Sequence, residues 1–153
     1  MGFVQAILVG DRARIEKVCA EKGFEIGKFT IVDEPLELKA VSTAVAMVHD
    51  KAGDVLMKGL CSTDKFLRGI LNKETGLLPP KGLLSHVGIV DNPNYHKLMF
   101  ISDMAVVPAP EFRQKVAITK FLINTAHSFG IAMPKVAFIA ASEQMMDTMP
   151  ACV

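Results

Sequence analysis

Short apolar runs alternate along the chain with longer stretches in which apolar residues recur every three or four positions. Residues 5–10 (QAILVG) read as a buried strand, and 11–22 (DRARIEKVCAEK) as a helix with Ile15, Val18 and Cys19 on one face. Residues 28–33 (KFTIVD) are strand-like, with β-branched positions and a polar stop. The stretch 34–53 predicts a strong helix: Pro35 suits a first turn, Val41, Ala44, Val45 and Val48 form the stripe, and Gly53 ends it. Residues 54–59 (DVLMKG) predict another buried strand. A helix is predicted over 62–76, capped by Ser62 or Thr63 and closed near Gly76.

The rhythm changes at Leu77. Pro79, Pro80 and Gly82 punctuate a loop over 77–86. Residues 86–91 and 97–102 are strand candidates joined through Asn92-Pro93-Asn94-Tyr95, the mark of a local antiparallel hairpin. After a loop at 106–110, residues 111–130 predict a long helix with Phe112, Val116, Phe121, Leu122 and Phe129 on its apolar side, and 134–142 a last buried strand. Continuous apolar strands between amphipathic helices predict a layered α/β/α fold with a mostly parallel sheet and one antiparallel excursion. No internal repeat, low-complexity segment or linker divides the chain.

Composition narrows the function classes. A chain of 153 residues has room for a real core. Mean hydropathy is +0.33, yet no apolar run approaches the roughly 18 residues of a spanning helix. A membrane protein is not expected, and the N-terminus does not read as a signal peptide. Seventeen basic residues nearly cancel sixteen acidic ones, with no basic block and no Trp, so a nucleic-acid partner is not expected. Cys19, Cys61 and Cys152 are widely spaced and form no CxxC, which fits a reducing, cytoplasmic setting. His49, His86, His96 and His127 sit in four separate segments with no metal-binding spacing, so no metal is expected.

The stretch 56–71 (LMKGLCSTDKFLRGIL) gathers chemistry. A predicted strand delivers Lys58 and Gly59 to the start of a predicted helix near Thr63. The free N–H groups and positive dipole end of such a helix attract an anion. Lys58 adds charge at the strand's C-terminal end, where open α/β sheets bind ligands, and Gly59 permits close backbone approach. Arg68 has the reach to clamp a phosphate or carboxylate. From spacing alone, solvated charges and ordinary caps are the plainer reading. Neither Gly-x4-Gly-Lys-[Ser/Thr] nor GxGxxG occurs here.

Two further places qualify. Ser85 and His86 open a strand, where adjacent side chains point to opposite faces, so they are not expected to pair with each other. Asp103 ends a strand beside Ser102, where an acid can orient a base, take a proton or cap a turn. A loop serine, a half-buried histidine and a turn aspartate are the plain alternatives. Cys61, near a helix start, is a rival nucleophile but has no evident activating base.

Three ordered segments, DVLMKGLCSTDKFLRGIL, GLLSHVGIVDNPNYHKLMFISDMAVVPAP and MPKVAFIAASE with its later MP, together resemble the phosphate acetyl/butyryltransferases. QAILVGDRARIEKV also fits that family's pattern, and the segment after PKVA is closer to the butyryl side. The resemblance implies transfer of an acyl group, butyryl or another short chain in preference to acetyl, between coenzyme A and inorganic phosphate. It implies an isopropylmalate-dehydrogenase-like fold of two domains with the site in the cleft. Coenzyme A is then a substrate, and no bound cofactor or metal is needed. Charge developing on the attacked carbonyl oxygen calls for arginine, lysine and hydroxyl donors. By motif match, Arg68 is the phosphate or acyl-phosphate clamp, Lys58, Gly59 and Thr63 shape the anion pocket with His86 nearby, Ser85 is a donor and Asp103 lines the cleft.

Family members are about twice as long. Against that pattern, a first strand–helix unit before GFVQAILVGD and the second half, with the acid the resemblance implies for the thiol proton, are expected to lack a counterpart in this chain. The expected organisation is therefore a first α/β domain over 1–133 and the start of a second over 134–153, an incomplete version of the fold. Such a chain is expected to associate as a homo-oligomer or with a complementing chain. The alternative function is a non-catalytic fragment that binds an anion or coenzyme A and needs a partner chain.

Overall fold

The computed structural model describes residues 4–140 and 142–149. The chain packs as two compact units, the first ending at Gly82 and the second starting at Leu83.

The first unit opens with a βαβ turn of chain. Strand β1 (Ile7–Gly10) pairs in parallel with β2 (Thr30–Asp33), in the register Ile7 to Thr30 and Gly10 to Asp33. Helix α1 (Arg12–Lys22) makes the crossover between them. Its start is fixed by Asp11, whose Oδ1 accepts the Arg14 N–H at 2.9 Å. Its end is fixed by Gly23 at φ 70°, with Phe24 N–H donating to Cys19 C=O and Gly23 N–H to Ala20 C=O. That double closure needs a left-handed residue, which glycine supplies without steric cost.

Helix α2 (Glu37–His49) packs on β1 and on α3 (Thr63–Ile70). Val41 and Val45 of the expected stripe are buried, Val45 with 2% of its surface exposed, and Cys19 of α1 is buried too. Helices α2 and α3 approach closely at Gly69, where a Cβ would stand 2.7 Å from Val41 Cγ1. Helix α2 is shorter than predicted. It stops at Asp50, and Lys51 rather than Gly53 takes the positive φ of 61°. Helix α3 is also shorter, because Asn72 turns the chain: its side-chain oxygen accepts the Glu74 and Thr75 N–H groups at 2.9 and 3.0 Å.

The second unit holds an antiparallel hairpin, β3 (Gly88–Val90) and β4 (Met99–Ile101), in the predicted place and in the register Ile89 to Phe100. Its turn is set by Asn92, whose side chain accepts the Asn94 N–H and whose C=O accepts the Tyr95 N–H, each at 2.9 Å. Helix α4 (Phe112–Ser128) packs against β4 and starts with a reciprocal capping box between Glu111 and Gln114. Its buried positions are Ile118 and Ala126, whereas Phe112, Val116, Phe121 and Phe129 of the expected stripe keep substantial exposure. Phe129 nevertheless meets Phe100 edge-on at 5.5 Å between ring centroids.

The fold is α/β with a parallel strand pair, but two predicted strands do not form. Residues 55–59 form no regular element and have no strand partner among the described residues, and the same holds for 134–140; residue 141 lies outside them. An apolar run becomes a strand only when a neighbour takes up its N–H and C=O groups. Without one, Met57 is 86% exposed and Ile139 93%. No described helix is long and apolar enough to cross a membrane.

Candidate functional site

The first unit contains an open cleft of about 530 Å³. Its walls combine the C-terminal end of β1 (Val9, Gly10), the start of α2 at Glu37, and the segment carrying Lys58, Gly59 and Cys61. Two of the predicted anion-site residues, Lys58 and Gly59, therefore line one cavity. A Cβ built at Gly59 meets nothing within 4 Å, so the fold itself does not demand glycine there. Cys61 is a half-buried free thiol on the same wall, Cys19 is buried, and Cys152 lies outside the described residues.

Thr63 and Arg68 stand on α3 but are not among the residues lining the cleft. Ser62 is the cap, its hydroxyl accepting the Lys65 N–H at 3.3 Å, and Thr63 is the exposed first residue of the helix. Arg68 is exposed, and its Nε donates to Asp64 Oδ1 one turn back at 3.0 Å.

Glu37 is a member of the cleft that the sequence did not mark. Its Oε1 accepts the Ser62 N–H at 2.8 Å, and its Oε2 forms an ion pair with Lys65 Nζ. The Lys65 ammonium first, and the Ser62 N–H second, hold its carboxyl below the usual carboxylate range, with a weaker opposing effect of burial; Lys58 adds a further attraction. The only sequence signal was an acid in a helix's first turn, a common placement, and its partners lie 25 and 28 residues away.

In the second unit, Ser85, His86, Ser102 and Asp103 form one cluster. The half-buried Ser85 hydroxyl donates to Asp103 Oδ2 at 2.9 Å and lies 3.2 Å from Ser102 Oγ. Ser102 Oγ donates to the His86 carbonyl, and the His86 N–H donates to Asp103 Oδ2 at 3.1 Å. Asp103 Oδ1 accepts the Ala105 and Val106 N–H groups, each at 2.8 Å. Burial alone would raise the Asp103 pKa. The Ala105, Val106 and His86 N–H groups and the Ser85 hydroxyl outweigh it and hold the carboxyl far below the usual range. Asp103 is therefore a fixed anion and a poor proton acceptor. His86 joins through its backbone while remaining exposed, so adjacent Ser85 and His86 do not act as a side-chain pair. Among the described residues, no group of three or more His, Cys, Asp or Glu side chains is placed to hold a metal ion.

Comparison with known proteins places the chain in a family. The family model for phosphate acetyl/butaryl transferase matches residues 17–152. The phosphate butyryltransferase of Clostridium acetobutylicum is 40% identical over 149 residues, covering 97% of this chain and 49% of its own length. The phosphate acetyltransferase of Rhizobium meliloti is 32% identical over 153 residues, covering 48% of its length. The chain thus spans about half the length of the curated relatives it matches. Among solved structures, a branched-chain phosphotransacylase from Enterococcus faecalis superposes with a TM-score of 0.72 at 22% identity, over 97% of this chain and 60% of that one, a likeness of fold. The chain belongs to the phosphate acetyl/butyryltransferase family.

Proposed function

We propose that the protein is a phosphate acyltransferase, converting acyl-CoA and phosphate to acyl phosphate and CoA, with butyryl or another short acyl chain preferred over acetyl. The observation that carries this reading is the family match over residues 17–152. Two relatives named phosphate butyryltransferase, at 40% and 38% identity, lie above the acetyltransferase at 32% and favour the butyryl side. The fold is proposed to be of the isopropylmalate-dehydrogenase type, with residues 1–133 as its first domain and 134–153 as the start of a second. The setting is proposed to be cytoplasmic.

In this reaction a phosphate oxygen attacks the thioester carbonyl, and the C–O bond forms as the carbonyl oxygen takes negative charge. Collapse breaks the C–S bond, and CoA leaves as a thiolate that takes up the proton lost from phosphate. Positive charge and hydrogen-bond donors at the oxyanion are what the protein must supply. From the family motif we assign Arg68 as the phosphate clamp and Lys58 and Gly59 to the anion pocket, with Thr63, outside the cleft lining, as a further binding residue at the start of α3. By motif match alone, Ser85 is proposed as a donor, Asp103 as a catalytic residue and His86 as a substrate-binding one. Asp103, already accepting four hydrogen bonds, serves by orienting Ser85. Coenzyme A acts as substrate, and the residues named need no metal.

The chain's span of about half of its relatives favours a second reading: a non-catalytic fragment that binds an anion or coenzyme A and becomes active with a partner chain or a second copy. One experiment separates the two. Purified, folded chain is assayed for phosphate-dependent release of free thiol from butyryl-CoA. Release that disappears in Arg68→Ala establishes the transferase; no release from folded chain, with CoA or phosphate still bound, establishes the fragment.

A further inference from the structure

The cleft wall that carries Lys58, Gly59 and Cys61 has no strand partner among the described residues, yet it enters α3 at a defined point. The contact that defines this point is Glu37, which holds the Ser62 N–H through one oxygen and Lys65 Nζ through the other. Glu37 is itself the first residue of α2, whose next turns are anchored in the core by Val41 and Val45. A carboxylate here satisfies one of the N–H groups that the start of α3 leaves open, and its charge complements the dipoles of two helices starting side by side. A charge-assisted bond of this kind resists opening more than a neutral one does.

We infer that Glu37 is a positioning residue: it pins the Lys58–Ser62 segment to the start of α2 and so sets where Lys58 and Gly59 stand in the cleft. This rests on the phosphate acyltransferase reading for its consequence, though not for its geometry. No contact with a reacting atom is assigned to Glu37. Its effect reaches substrate through the segment it holds.

The test compares the full 153-residue chain with Glu37→Ala and Glu37→Gln. Glutamine keeps an oxygen for the Ser62 N–H and gives up the ion pair. Amide hydrogen exchange at Ser62 rises about tenfold in Glu37→Ala, the scale of one lost charge-assisted bond, and falls between the two in Glu37→Gln. Amides of β3 do not change. In the thiol-release assay, KM for phosphate rises about tenfold in Glu37→Ala with kcat within about twofold, and Glu37→Gln recovers most of the loss. Unchanged Ser62 exchange in Glu37→Ala overturns the anchor. Faster exchange with an unmoved phosphate KM in an active chain overturns its role in positioning. A parent chain that releases no thiol fails the acyltransferase reading instead, and the exchange comparison alone then decides the anchor.

Discussion

Ser85 donates its hydroxyl hydrogen to Asp103 Oδ2 at 2.9 Å, across 18 residues of sequence, and Asp103 accepts three backbone N–H groups besides. Replacement by asparagine turns one of its two oxygens into a donor facing donors. Asp103→Asn is expected to destabilise the chain by about 2 kcal/mol, the range for a polar network left partly unsatisfied. Urea unfolding of the two chains at neutral pH measures it.

The same carboxylate sets an acid response. Its folded pKa lies below its unfolded one, so its stabilisation is complete above the unfolded value of about 3.8. It is lost as pH falls from there through the folded value. In wild type, stability therefore declines as pH drops below about 4. Asp103→Asn loses that component, and its unfolding free energy varies less between pH 5 and pH 2. Equal slopes in the two proteins would remove the carboxylate as the cause.

Arg68 offers the cleanest separation of function from fold. Its ion pair with Asp64 is a surface pair, both side chains mostly exposed, and such pairs contribute well under about 1 kcal/mol. Arg68→Ala should unfold at nearly the wild-type urea concentration. If Arg68 is the proposed phosphate clamp, the variant loses about a hundredfold or more in thiol release, the scale seen when one transition-state donor is removed. Wild-type turnover in Arg68→Ala would end that assignment.

The sequence made local features legible and left the non-local ones hidden. Asp11, Gly23 and the Asn92 turn act within a few residues, so their chemistry can be read off the chain, and α1, β1, β2 and the hairpin appear where expected. The early stop of α3 lies in Asn72, a local turn former upstream of Gly76. The runs at 54–59 and 134–142 looked like strands because hydrophobicity reports burial, whereas a strand also needs a neighbour. Asp103 and Ser85 stood out singly, but their contact depends on how the hairpin closes. Glu37 was invisible for the same reason: its partners belong to a different helix.

Gly59 separates the demands of the fold from those of a ligand. No atom lies within 4 Å of a Cβ placed there, and its φ is not in the left-handed range. Gly59→Ala should leave stability unchanged or raise it by about 0.5 kcal/mol through a less flexible unfolded chain. If the backbone there must approach a substrate anion closely, the same methyl group raises KM for phosphate or CoA several-fold. A more stable protein with unaltered KM would show that Gly59 is not at the substrate.

Gly69 presents the opposite case. A Cβ there would stand 2.7 Å from Val41 Cγ1 and 3.3 Å from Val45 Cγ2, both on buried residues of α2. Valine in a helix has essentially one χ1 rotamer, so neither methyl can swing away cheaply. Alanine gains about 1 kcal/mol of helix propensity over glycine, while overpacking costs about 1–3 kcal/mol. The clash should win, and Gly69→Ala should be less stable by about 1 kcal/mol in urea unfolding. Removing the obstacle decides the cause. In a Val41→Ala background the clash is relieved, so Gly69→Ala becomes neutral or stabilising, with a coupling of about 1 kcal/mol or more between the two sites. Additive effects would mean that α2 and α3 do not meet as closely as Gly69 and Val41 do here.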